Sequence, residues 1–118
     1  MLFRSTLDAL LPKDRRRDHP RFDASNIERN RALLTPLEEI AARRKCTPAQ
    51  VALAWLLAQG DDVVPIPGTK RRKYLEENCR AVEVRLTREE TDTLAKAFAP
   101  NVAAGARYPE KQLKALGI

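Results

Sequence analysis

The chain predicts an α/β fold, mostly helical with one clear strand. Three observations carry that reading. Helix-start signals recur along its length: Ser25 with Glu28, Thr35-Pro36-Leu37-Glu38, Thr47-Pro48-Ala49-Gln50, and Thr87 with Glu90. In each, a hydroxyl stands three residues before a Glu or Gln, the spacing of a capping box, and twice a proline takes the first helical position. The run Val63-Val64-Pro65-Ile66 crowds β-branched residues into four positions, as in a strand buried on both faces of a parallel sheet. The stretch after it reads as a glycine turn at Gly68, four cations (Lys70 to Lys73), and a helix carrying Glu77-Asn78. A strand feeding a helix through a glycine turn is a recurrent phosphate site, since amides and the helix dipole at the turn both favour an anion.

Taken in order, residues 1–24 read as a loop. Pro12 and Pro20 punctuate it, and Lys13-Asp14-Arg15-Arg16-Arg17-Asp18 mixes both charges. An RNA-contacting patch would pair its cations with stacking aromatics; here Asp14 and Asp18 dilute the run, so a solvated loop is the better reading. From Ser25 onward, Ile27, Leu34, Leu37 and Ala41 share one helical face, with a break near Thr35 because Pro36 cannot donate to the preceding turn. The helix opened by Thr47-Pro48 is apolar all round from Val51 to Ala58 and should stop at Gly60. Trp55 lies among apolar neighbours and reads as a core residue. Leu75, Cys79 and Val82 form the stripe of the next helix. Leu94, Ala97 and Phe98 form that of the helix after Thr87, which Pro100 closes.

Composition bounds the rest. The 118 residues suffice for one domain, and 43% hydrophobic with 32% charged residues are globular values. Net charge is +6, of which residues 1–46 hold +4 from 11 basic and 7 acidic side chains. That admits anionic partners without choosing among them. Cys46 and Cys79 stand outside any Cys-x-x-Cys, and the single His19 has no ligand-spaced neighbour, so no metal site is nominated and both thiols read as reduced. The longest apolar run, Val51 to Ala58, is far short of a membrane span, and Arg4 and Asp8 spoil the N-terminus as a signal peptide. A cytoplasmic protein without a membrane partner is expected. A lone strand would leave its backbone groups unpaired, which marks the chain as a piece of something larger.

Four stretches resemble a known family, and in its order: Pro20-Arg21-Phe22 with Asn26 and Asn30; Thr47-Pro48-Ala49-Gln50 with Ala52 to Leu57; Pro65 to Lys70 with Leu75-Glu76-Glu77-Asn78; and Gly105 with Arg107-Tyr108-Pro109. Together they resemble the C-terminal third of an aldo/keto reductase, of the bacterial and plant branch that includes auxin-induced-protein-like enzymes. The resemblance implies a C-terminal fragment of a (β/α)8 TIM barrel. Residues 1–24 would be the loop after strand seven, 25–60 helix seven with its break, and 62–67 strand eight. Residues 70–82 would be helix eight, 87–99 an additional helix and 100–118 a tail. Phosphate sites of such barrels lie in the loops after strands seven and eight.

The same resemblance implies NADPH as cofactor and a small carbonyl compound as substrate of the full-length enzyme. It places Gly68 and Thr69 at the turn, Lys70 and Arg71 at the 2′-phosphate, and Glu77 and Asn78 at the adenine. Tyr74 stands where family members often carry Arg or Gln, and can stack on the adenine or hydrogen-bond the ribose. The family's catalytic Asp, Tyr, Lys and His lie on earlier strands, so no catalytic residue is nominated here. The expectations are an N-terminally truncated reductase, inactive alone, binding NADPH weakly, and self-associating through uncovered barrel faces. The alternative is a stand-alone basic helical module that binds nucleic acid or another anion through its N-terminal half.

Overall fold

The computed structural model describes residues 10–117. Met1 to Ala9, the start of the loop assigned to 1–24, and Ile118 at the end of the tail lie outside the described residues. Six α-helices run in order: α1 (Ala24–Ala32), α2 (Thr35–Arg43), α3 (Pro48–Leu57), α4 (Arg72–Cys79), α5 (Arg88–Ala97) and α6 (Glu110–Ala115). Short 3-10 turns occupy Arg15–Asp18, Pro20–Phe22 and Arg80–Glu83. The chain divides into two compact units, Met1–Leu34 with Phe98–Ile118, and Thr35–Ala97.

The unit Thr35–Ala97 owns the apolar core. Leu37, Ile40, Ala41, Val51 and Leu94 form one buried cluster, with Cys46, Ala52, Trp55 and Leu86 packed on it. The indole Nε1 of Trp55 donates to the Thr91 carbonyl at 3.2 Å, so its polar atom is satisfied within that packing. Two capping boxes hold the helix starts. At α3 the Gln50 amide N–H donates to Thr47 Oγ1 at 3.2 Å, and the Thr47 N–H to Gln50 Oε1 at 3.0 Å. Thr87 and Glu90 repeat the exchange at α5, at 2.9 and 3.2 Å. The break near Thr35 is present, with Leu33 and Leu34 in a turn between α1 and α2.

α2 ends in a Schellman arrangement. The Cys46 N–H donates to the Ala41 carbonyl and the Lys45 N–H to the Ala42 carbonyl, with Lys45 at φ 53°. Such a C′ position usually falls to glycine; here Lys45 takes it, and this left-handed residue ends α2 before α3 begins at Pro48.

Four expectations are corrected. The helix expected from the Ser25–Glu28 spacing starts earlier, at Ala24 with Asp23 as N-cap. No strand occurs among the described residues. Val63 to Thr69 forms no regular element and has no ladder partner among the described residues, and it is not buried on both faces: Val64 is 78% and Ile66 93% exposed, while Val63 and Pro65 are half-buried. Strand pairing needs a second strand, and α-helical neighbours offer none. Nor does Gly68 make a left-handed turn; the bend lies at Lys70 and Arg71, and only Gly60, Gly105 and Gly117 have positive φ among the glycines. The stripe expected on α4 is uncovered: Leu75, Cys79 and Val82 are all exposed.

In the other unit, α1 packs on the Pro20–Phe22 turn. Asn30 is its buried polar centre, 1% exposed. The Asn30 Nδ2 donates to the Ala104 carbonyl at 2.9 Å and Oδ1 accepts from the Ala104 N–H at 2.7 Å. Gly105 has φ +85°, and a Cβ there would meet the Pro20 carbonyl oxygen at 2.8 Å and Asn26 Nδ2 at 2.9 Å.

Candidate functional site

The residues assigned to a nucleotide phosphate lie on consecutive turns of one unit. Around Gly68 the space is open, with nothing within 4 Å of where a Cβ would stand. Thr69 Oγ1 donates to the Arg71 carbonyl at 3.2 Å and accepts from the Arg71 N–H at 3.4 Å, which bends the chain into α4. Arg71 is the N-cap of α4 with extended backbone, and no side chain caps that helix. The two N–H groups that open it, of Arg72 and Lys73, therefore face outward unpaired, a helix start able to accept an anion. Lys70, Arg71 and Lys73 are exposed and carry no ion pair among the described residues, whereas Arg72 is held by Glu76 at 2.8 Å.

The nominated adenine-side residues follow on α4. Tyr74 and Asn78 are half-buried. Glu77 is tied elsewhere: its carboxylate accepts from Thr47 Oγ1 at 3.0 Å, and its main-chain carbonyl accepts from Gln50 Nε2 at 2.9 Å. Thr47 and Gln50 thus cap α3 and fasten α4 at once. The structure brings Gly68 to Asn78 into one continuous segment and anchors its far end at Glu77. Spacing alone does not reveal this anchor, because the partners stand thirty residues apart.

The remaining motif residues meet in the other unit. Arg21 Nε donates to the Gly105 carbonyl at 3.3 Å, Asn26 Nδ2 to the Pro20 carbonyl at 2.9 Å, and Asn30 joins Ala104 as above. His19 Nδ1 lies 3.2 Å from the Arg107 carbonyl, which the protonated nitrogen can serve, and its ring tilts against Tyr108 with centroids 5.7 Å apart. The basic run at 13–18 is locally engaged. Arg16 pairs with Asp14 at 2.6 Å and holds its carboxyl down to about 2, and Arg17 donates to the Leu10 and Leu11 carbonyls.

The four stretches that resemble a family are therefore two hydrogen-bonded pairs, first with fourth and second with third. The model of the aldo/keto reductase family matches residues 4–99. The chain belongs to that family. The aldo/keto reductase chain is 49% identical over 96 residues to the Schizosaccharomyces pombe aldo-keto reductase yakc, whose name carries NADP(+). It is 43% identical over 90 residues to a probable aldo-keto reductase 1 of Glycine max. The first match covers 81% of this chain and 28% of the relative, the second 76% and 26%. This aldo/keto reductase chain thus spans little more than a quarter of the length of the curated relatives it matches. Among the described residues no helix is long and apolar enough to cross a membrane.

Proposed function

We propose that this chain supplies the adenosine-phosphate end of the cofactor site of an NADP(H)-dependent aldo/keto reductase, an oxidoreductase interconverting carbonyl and alcohol. The observation that supports the reading is the start of α4, where an open glycine is followed by three exposed cations without an ion pair among the described residues and by two helix-opening amides that no side chain caps. That donor set fits a phosphate: Lys70 and Arg71 supply charge and fork-shaped donors, and Gly68 lets the backbone come close. Asn78 can donate to and accept from an adenine edge through one amide. Tyr74, one turn earlier on the helix, offers a ring face or a hydroxyl. Glu77 serves first as the anchor of α4 through Thr47, so its part in nucleotide binding is to fix the helix as much as to touch the base.

When bound, the cofactor supplies hydride for carbonyl reduction. The residues of this chain bind and orient, and none is nominated as acid or base. The full-length protein is accordingly proposed to take small aldehydes or ketones, with this chain alone inactive.

The test uses adenosine 2′,5′-bisphosphate and 5′-AMP as probes of the purified chain by isothermal titration. The bisphosphate should bind more tightly than the monophosphate, and Lys70→Gln with Arg71→Gln should remove the difference. Equal affinity for the two nucleotides would sink the assignment of Lys70 and Arg71 to a 2′-phosphate.

A further inference from the structure

A concave site lies within the unit Thr35–Ala97, outside the segment Gly68–Asn78. It is a cleft of about 450 Å³ lined by Arg44, Lys45, Cys46, Gln50, Arg80, Glu83, Val84 and Arg85. That volume falls within the range of ligand-sized clefts, roughly 300–1,000 Å³. Its charges come from three places in the chain: the C-terminal end of α2, the Arg80–Glu83 turn and the segment after it. Arg44 is neutralised, since its guanidinium forks onto Glu90 with Nη2 to Oε2 at 2.6 Å and Nε to Oε1 at 3.1 Å. Lys45, Arg80 and Arg85 have no ion pair among the described residues, and Glu83 is the single carboxylate in the lining. Two positive charges are left uncompensated. Gln50 spends its amide on Thr47 and Glu77 and contributes shape.

Lys45 occupies the C′ position of α2 at φ 53°, where glycine is free of strain and a lysine is not. It lines the cleft together with Arg80 and Arg85.

We infer that this cleft is an anion site for a small phosphate compound with at least two negative charges, held by Lys45, Arg80 and Arg85. Guanidinium forks match phosphate oxygens two at a time, and the lysine adds a movable point charge. The site is separate from the start of α4, and its cations differ from Lys70 and Arg71.

Inorganic pyrophosphate titrated into the purified 118-residue chain, followed by calorimetry, tests the inference. Saturable one-to-one binding is expected, and Lys45→Gly and Arg85→Gln should each weaken it by about fivefold or more. Lys45→Gly relieves the strained φ, so its melting midpoint should hold or rise, which separates lost binding from lost folding. The titrations are made in the Lys70→Gln with Arg71→Gln background, so that pyrophosphate held at the start of α4 does not contribute. Two outcomes overturn the inference: no saturation by roughly 10 mM pyrophosphate in that background, or unchanged affinity when Lys45→Gly is added to it.

Discussion

Asn30 and the backbone of Ala104 exchange two hydrogen bonds, 2.9 Å from Nδ2 to the carbonyl and 2.7 Å from the N–H to Oδ1. The amide thereby imitates a strand partner across seventy-four positions of sequence. It is almost wholly buried, so water cannot take its place. Replacing it with Leu at similar volume would leave the Ala104 N–H and carbonyl unsatisfied. Asn30→Leu should destabilise by about 2–4 kcal/mol, read as an earlier urea midpoint. A variant within a few tenths of wild type would show that this pairing does not hold α1 to the later segment.

Gly105 and Gly68 make a controlled pair. At Gly105 the left-handed φ and the close approach of the Pro20 carbonyl both forbid a Cβ, and the blocking atom is backbone. Gly105→Ala should cost about 2–4 kcal/mol. Gly68 has ordinary φ and open space around it, so Gly68→Ala should change stability by less than about 0.5 kcal/mol. The same alanine should weaken binding of adenosine 2′,5′-bisphosphate if backbone approach matters there. Calorimetric melting of both variants beside a nucleotide titration of the second separates the two uses of glycine.

Local chemistry in the sequence was legible at some places where it acts over three or four residues, though the Ser25–Glu28 spacing did not mark the start of α1. The capping boxes of Thr47 with Gln50 and of Thr87 with Glu90 formed as their spacing required, and the break at Pro36 followed from a missing N–H. What depended on partners was not legible. The β-branched run Val63 to Ile66 stays unpaired because strand formation needs a neighbour, and a four-residue pattern cannot say whether one is present. The Schellman end of α2 was hidden because Lys45, not glycine, takes its left-handed position. The four family-like stretches were visible as residues, but their pairing was not. Asn30 with Ala104 and Thr47 with Glu77 lie too far apart in sequence for spacing to show.

The Glu90 carboxylate gives stability a defined pH dependence. Hydrogen bonds from the Arg44 guanidinium, and then from the Thr87 N–H, hold it below the usual carboxylate range. A carboxylate lowered on folding adds stability that is fully present above its unfolded pKa, near pH 4.3. That increment is lost as pH falls through the lower folded value. Wild type minus Glu90→Gln should therefore show a stability difference at neutral pH that shrinks steadily below about pH 5. The glutamine keeps an oxygen for the Thr87 N–H, so the comparison isolates the charged contacts with Arg44 and, at 3.8 Å, with Arg43. A difference that stays constant from neutral pH to pH 3 would remove the ion pair as its source.

Thr47 and Glu77 separate architecture from nucleotide recognition. Thr47 Oγ1 accepts the Gln50 N–H at the start of α3 and donates its proton to the Glu77 carboxylate. Thr47→Val deletes both bonds and should cost about 1–2 kcal/mol. Glu77→Gln retains an oxygen that can accept from Thr47, so its stability should change little, while the charge is gone. If Glu77 only anchors α4, nucleotide affinity in Glu77→Gln should match wild type, and Thr47→Val should weaken binding by loosening the helix that carries Tyr74 and Asn78. If the Glu77 carboxylate itself accepts from the adenine, Glu77→Gln should lose affinity for 5′-AMP and adenosine 2′,5′-bisphosphate by the same factor, since both carry the same base. A gain confined to the bisphosphate would instead place Glu77 near the 2′-phosphate, where its carboxylate repels, and would contradict its position in the arrangement proposed here.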